Sequence, residues 1–266
     1  MRYCRFLTKD GPQYGQIEKQ DGRDFIVEIL MPPPEDKVCI FSSQAIRPLS
    51  LESVKLLAPA VPSKIVCVGR NYRDHAKELG NEVPAEILIF LKPPSAVIAP
   101  EDPIVMPSVS QRVDFEGELG VIIGKQCQKL KPAEDPRSYI RGYVCANDVT
   151  ARDLQKSDGQ WTRAKGFDSF CPVGPIVSDE VDPWSGVELE TRVNGERKQH
   201  GNTRDLIFPL DAVLRYISSV MTLLPGDLIL TGTPAGVAPL KDGDVVEIAI
   251  PGIGKLSNPV QAASAT

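Results

Sequence analysis

Apolar positions along this chain recur mostly with a period of two or in short compact runs, a pattern of strands more than of helices. Near the start, "MRYCRFLT", "YGQIEK" and "DFIVEILM" read as short strands separated by turn residues and followed by the Pro-rich "MPPPEDK". Residues 1–60 are therefore expected to form a small β-rich N-terminal domain. "LLAPAVPSK" then reads as a linker into a second, larger domain over 61–266. From Lys64 onward the runs look like buried strands that each end in polar residues: "KIVCVGRNY", "EILIFLKPP", "DFEGELGVIIG", "RGYVCANDVTARD" and "GDLILTGTPAG". Polar clusters at strand ends are where sites are usually built. One amphipathic helix is expected after Pro209, from the helical spacing of Leu210, Val213, Leu214, Ile217, Val220 and Met221. The tail "GDVVEIAIPGIGKLSNPV" predicts a hairpin turning at Pro251 to Gly254. The sum is a strand-dominated α+β protein.

Within that frame "RVDFEGELGVIIGK", Arg112 to Lys125, is unusual. Read as a strand, it puts Val113, Phe115, Leu119, Val121 and Ile123 on one face and Asp114, Glu116 and Glu118 on the other. Carboxylates two residues apart lie about 7 Å from one another and repel by about 2 kcal/mol at an effective dielectric near 20, but by only ~0.6 kcal/mol in water. A solvated acidic row is thus cheap, and an isolated E-x-E pattern says little. What changes the picture is the strand "RGYVCAND", which ends in Asn147 and Asp148. Immediately after it "TARD" has the form of a capping box, with Thr150 opening a helix and Asp153 three residues on. Two glutamates on one strand and an aspartate at the tip of another make a hard-cation site. Mg²⁺ or Mn²⁺ suits it, and Ca²⁺ is compatible. Asp114 reads as a supporting or surface residue.

Composition narrows the chemistry further. The formal charge is −5 and no Lys/Arg-rich run occurs, so nucleic acid is not an expected partner. No apolar run is long enough to cross a bilayer and "MRYCRFLTKDG" is not a signal peptide, so no membrane association is expected and a cytoplasmic protein is. The six cysteines form no CxxC pair and read as buried free thiols. With only His75 and His200 as imidazoles, a metal site has to be built mostly from oxygen.

Other strand ends supply further parts. "GRNYRDHAKELG" places Arg70, Asn71 and Tyr72 after a strand, then a short helix with His75 and Glu78 on one face. A carboxylate orienting a histidine is a usual general-base device, although the same pair could be incidental on a surface helix. Lys165 in "WTRAKGF" is either a solvated charge or a member of the site. "TGTPAG" is either a plain turn or a loop whose Thr231, Thr233 and backbone N–H groups hold a carboxylate.

Taken in order, "KIVCVGRNYRDHAKE", "LKPPSAV", "FEGELGVIIGK", "NDVTARDLQ", "DGQWTRAKGFDSFCPVGP" and "LLPGDLILTGTPAGV" resemble the fumarylacetoacetate hydrolase family, in particular its acylpyruvase and oxaloacetate decarboxylase branch. The likeness runs from about Lys64 to about Val260; residues 1–60 are similar in layout only. It implies a mixed β roll of stacked sheets with few helices, commonly a homodimer. It also implies one Mg²⁺ or Mn²⁺ on Glu116, Glu118 and Asp148, and a water-activating dyad of His75 and Glu78. Arg70, Gln155, Lys165 and Thr233 then contact a bound oxo acid, with Lys165 counted as catalytic. The expected reaction is C–C cleavage of an acylpyruvate-type 2-oxo acid with release of pyruvate. Oxaloacetate decarboxylation, or isomerisation or decarboxylation of an aromatic-degradation intermediate, shares the enolate chemistry. The segment from Tyr72 to Val83 is expected to act as a lid. The non-enzymatic rival, a structural Ca²⁺ or ligand-binding protein, has no need of His75, Glu78 or Lys165.

Overall fold

The computed structural model describes residues 1–31, 42–80 and 82–263. The Pro-rich run after Met31, Cys39, and residue 81 of the expected lid lie outside the described residues. Strands dominate. The fold is of the α+β class, with stacked mixed sheets and few helices, as the family likeness implies. The larger sheet has twelve strands. Its centre is Gly117–Ile123, flanked antiparallel by Ile140–Asn147 on one side and by Leu228–Leu230 on the other. Leu228–Leu230 runs parallel to Ile65–Gly69, and Leu88–Lys92 closes that edge. On the far side Cys171–Ser178 joins Ile140–Asn147 to Arg2–Thr8, so the N-terminal strands extend the same sheet.

Both faces of the central strand are buried. Leu119, Val121 and Ile123 pack on one side with Ile248, Leu256 and Val260 of a second, five-stranded sheet. Ile122 on the other side packs with Ile65, Val144, Val173 and Leu228. A strand buried on both faces shows no clean alternation, which is why "GVIIG" reads as a run.

The helix expected after Pro209 is Leu210–Val220, capped by Pro209, with Val213, Leu214 and Ile217 buried. The C-terminal hairpin pairs Val245–Ile250 with Gly254–Ala262. Two expectations need correction. The acidic stretch is not one strand: Val113–Asp114 pairs with Thr150–Ala151, and Gly117–Ile123 belongs to the large sheet. The chain turns between them, because Glu116 N–H donates to the Asn147 side chain rather than to a ladder partner (2.9 Å). The capping box does not form either. Ala151 occupies the cap of Arg152–Asp158; Thr150 Oγ1 donates to Asp148 O (2.8 Å), and Asp153 accepts from Ser110 Oγ (2.6 Å) and Gln111 N–H (3.0 Å). Thr150 is committed to a strand pair with Asp114, which turns its hydroxyl back toward the preceding carbonyl. Five cysteines, 4, 67, 127, 145 and 171, are buried free thiols as expected. No helix among the described residues is long and apolar enough to cross a membrane.

Candidate active site

Register brings the acidic residues together. Gly117 lies opposite Asn147, and Asp148 N–H donates to Glu116 O (2.9 Å), so Glu116 and Asp148 meet where the two strands end. Gly120 lies opposite Leu230, which carries Gly232 to the side chain of Glu118; Gly232 N–H donates to Glu118 Oε2 (2.6 Å). The backbone N–H of T-G-T-P does hold a carboxylate, but one of the protein's own. Gly232 has φ +103°, and a Cβ there would sit 2.7 Å from Asn71 Cβ, so glycine is required at that close approach. The result is a cluster of Glu116, Glu118 and Asp148, all buried, with one oxygen from each lying within 4.8 Å of the others.

Cations surround part of this cluster. Lys165, far from being solvated, is 2% exposed and donates to Glu116 Oε2 (2.9 Å) and Asp148 Oδ2 (2.6 Å). Burial pulls its pKa down, but Asp148 and Glu116 more than offset that and raise it, so it stays charged. Two further cations were not singled out from the sequence. Lys92, in "LKPP", is buried and donates to Asp148 Oδ1 (2.6 Å) and Val149 O (3.1 Å). Arg152 bridges Glu116 Oε1 and Asp114 Oδ2 and reaches Gln155 Oε1 (2.7 Å). A lysine closing an apolar strand, and an arginine opening a helix beside an aspartate, were the available signals. Asp114, fully buried, takes its other contact from Arg112 (2.9 Å) and so supports the site through Arg152 without joining the cluster.

The electrostatics separate the two glutamates. Burial pushes Glu116 up, but Lys165 and Arg152 hold its carboxyl far below the usual range. Glu118 is pushed well above the usual range by burial and by the charges of Asp148 and Glu116. It takes one short hydrogen bond from Gly232 and, among the described residues, no ion pair. A cluster built only of oxygen donors, with one carboxylate short of positive charge, fits a hard divalent cation.

A cavity of about 520 Å³ opens onto the cluster, lined by Arg70, His75, Glu78, Glu116, Glu118, Asp148, Gln155, Lys165 and Thr233; Asn71, Tyr72 and Thr231 are not among its lining residues. Arg70 reaches it from a left-handed backbone position (φ 56°) at the end of Ile65–Gly69, its guanidinium 5.9 Å from the Trp161 ring centre. His75 and Glu78 sit on the helix Arg73–Glu78. His75 Nδ1 lies 3.6 Å from Glu78 Oε2, beyond hydrogen-bond range, and has no partner among the described residues. Burial lowers the His75 pKa, so the ring is neutral at pH 7. Glu78 accepts from Gly236 N–H (3.1 and 3.2 Å), which docks the helix against the T-G-T-P loop. Thr233 Oγ1 donates inward to Gly117 O (2.8 Å).

The sequence matches the family profile described as "Fumarylacetoacetate (FAA) hydrolase C-terminal" over residues 64–261, and that described as "Rv2993c-like, N-terminal" over residues 1–59. The chain belongs to the fumarylacetoacetate hydrolase family. It is 54% identical over 212 residues to Protein Rv2993c of Mycobacterium tuberculosis, covering 79% of this chain and 80% of that one. It is 42% identical to the oxaloacetate tautomerase fahd2 of Xenopus laevis mitochondria, covering 98% and 90%. Among solved structures, a protein described as 2-hydroxyhepta-2,4-diene-1,7-dioate isomerase from Mycobacterium marinum superposes with TM-score 0.88 at 46% identity and covers the whole of both chains.

Proposed function

We propose that this fumarylacetoacetate hydrolase family enzyme binds a divalent cation, Mg²⁺ or Mn²⁺, on Glu116, Glu118 and Asp148 and cleaves the C3–C4 bond of an acylpyruvate-type 2-oxo acid, releasing pyruvate. The observation that carries the hydrolytic reading is His75: buried, held neutral, its Nδ1 3.6 Å from Glu78 and without a hydrogen-bond partner among the described residues, on the wall of the cavity that contains the acidic cluster. The cation, when bound, supplies Lewis-acid stabilisation of negative charge on the 2-oxo oxygen.

The remaining work falls to side chains. His75 takes a proton from the attacking water, and Glu78 stabilises the imidazolium that results. Lys165 holds positive charge beside the oxygen that becomes an enolate; its own pairing with Glu116 and Asp148 keeps it protonated for that role. Arg70 and Gln155 stand on the cavity wall as donors for the substrate carboxylate, Gln155 with its amide oxygen already engaged by Arg152 and its NH₂ group left to donate.

A second reading draws on the relatives whose names carry oxaloacetate tautomerase and dienedioate isomerase. The same neutral histidine can move a proton between C3 and the 2-oxo oxygen without an attacking water, and oxaloacetate can lose CO₂ to the same enolate. One assay separates the two. Purified protein with Mg²⁺ is given acetylpyruvate, fumarylpyruvate or oxaloacetate; pyruvate release and the enol absorbance of oxaloacetate are followed, with EDTA controls. Hydrolysis of the acylpyruvates, abolished by EDTA, is expected. Turnover of oxaloacetate with no acylpyruvate cleavage would replace the first reading by the second.

A further inference from the structure

The strand Glu196–Asn202 is polar throughout, and Gln199 is its one fully buried side chain. A buried glutamine in a sheet that packs on an apolar core has to find its hydrogen bonds there. Gln199 finds three. Its Oε1 accepts from Gly117 N–H (3.0 Å), and its Nε2 donates to Thr233 Oγ1 (2.7 Å) and Pro234 O (2.7 Å). Thr233 Oγ1 in turn donates to Gly117 O (2.8 Å). The amide orientation is settled by its partners, since a backbone N–H only donates and a proline carbonyl only accepts. Gly117, Gln199 and Thr233 thus form a closed ring in which each link polarises the next.

Gly117 is the residue between the two glutamates of the acidic cluster, and its N–H and C=O are both held by this ring. Nothing larger than glycine fits there. A Cβ would stand 2.1 Å from Thr191 Oγ1 and 3.2 Å from Gln199 Oε1, and Thr191 lies opposite Gln199 in the second sheet. We propose that Gln199 is a positioning residue for the cation site: from the second sheet it fixes the peptide that joins Glu116 to Glu118 and, through Thr233, locks the T-G-T-P loop over it. Thr233 then serves the same ring, its hydroxyl hydrogen spent on Gly117 O and not available to an oxo acid. The inference rests on the cation site of the preceding section.

The test is Mn²⁺ titration calorimetry on the metal-stripped full chain, with thermal unfolding in EDTA as the check on folding. Gln199→Met keeps the length of the side chain and removes all three hydrogen bonds; Thr233→Val keeps the shape and removes the hydroxyl, and Thr233→Ser restores it. Gln199→Met and Thr233→Val should each weaken Mn²⁺ about 10- to 100-fold, the range usual for groups that orient metal ligands. Thr233→Ser should bind like the parent, and the double variant should be no weaker than the weaker single, because one ring is broken in every case. Should Gln199→Met fail to fold, the Val and Ser variants at Thr233 carry the comparison. Mn²⁺ affinity within about twofold of the parent in Thr233→Val, or losses that multiply in the double variant, overturns the ring. A parent chain that binds no Mn²⁺ takes down the cation site itself, and the ring's role with it, an outcome distinct from a parent that binds and variants that bind equally.

Discussion

Replacing Glu118 by glutamine should stabilise the metal-free protein and remove most of the stabilisation that a bound cation gives the parent. One oxygen from each of Glu116, Glu118 and Asp148 lies within 4.8 Å of the others, and at an effective dielectric near 20 each like-charge pair at that distance repels by about 3.5 kcal/mol. Lys165 pairs with Glu116 and Asp148, Arg152 with Glu116 and Lys92 with Asp148, so most of that repulsion is offset everywhere except at Glu118. Glutamine keeps the shape and an acceptor for Gly232 N–H while removing a carboxyl that must either hold a charge without a partner or take up a proton. The net gain is on the scale of relieving one poorly satisfied buried group, about 1–3 kcal/mol. For a chain of this length that raises Tm by about 2–4 °C per kcal/mol. The pH dependence has a definite sign. The Glu118 pKa is raised in the fold, so its contribution to stability is fully present below the ordinary glutamate value and is lost as pH rises through the raised value. The advantage of Glu118→Gln in EDTA should therefore be largest at neutral pH and shrink on acidification. With Mn²⁺ at about a hundred times its dissociation constant the parent gains about 2.7 kcal/mol, and the variant, short of one ligand charge, should gain little. Scanning calorimetry in EDTA and in MnCl₂ reads both effects. A lower Tm than the parent in EDTA, or an equal Mn²⁺ shift in both proteins, refutes the electrostatic account of the cluster.

Two further expectations follow from the same geometry. His75 is neutral because burial depresses its pKa, so kcat/KM for acylpyruvate cleavage should be flat above the ordinary histidine value and fall only below it; His75→Ala should remove that acid limb and cost about 10²–10⁴-fold in hydrolysis with far less effect on oxaloacetate decarboxylation, and equal losses in both reactions would rule out a water-activating role. Gly117→Ala should clash with Thr191 Oγ1 and cost about 1–3 kcal/mol of stability by overpacking, with partial recovery in the Thr191→Ala background; chemical denaturation measures both, and a silent Gly117→Ala would show that the two sheets approach less closely than described.

The sequence carried the parts of this protein that depend on local chemistry. Alternation and turn residues marked the strands, the spacing after Pro209 marked Leu210–Val220, and the order of the linked motifs identified the family. The three carboxylates were legible as a set because E-x-E and a strand-end aspartate together supply the oxygen donors that a hard cation takes. Where local rules misled, longer-range pairing had overridden them. Thr150 has the residue type of a cap but is spent on a strand pair with Asp114, and the acidic stretch that alternates like one strand is cut in two by the Asn147 side chain.

Charge balance, by contrast, was decided only by the tertiary structure. Lys92 and Arg152 look like ordinary ends of a strand and a helix until the sheet order sets them against Asp148, Glu116 and Asp114. Gln199 sits in a strand so polar that its period says nothing of burial, and its role exists only because the second sheet approaches Gly117 closely enough to touch its backbone. The sequence by itself determined which donors and acids this protein has and the order in which they follow along the chain. Which acid each cation neutralises, and which acid is left short of charge, depends on distances of a few ångströms between residues far apart in the chain, and those are set by strand register and packing.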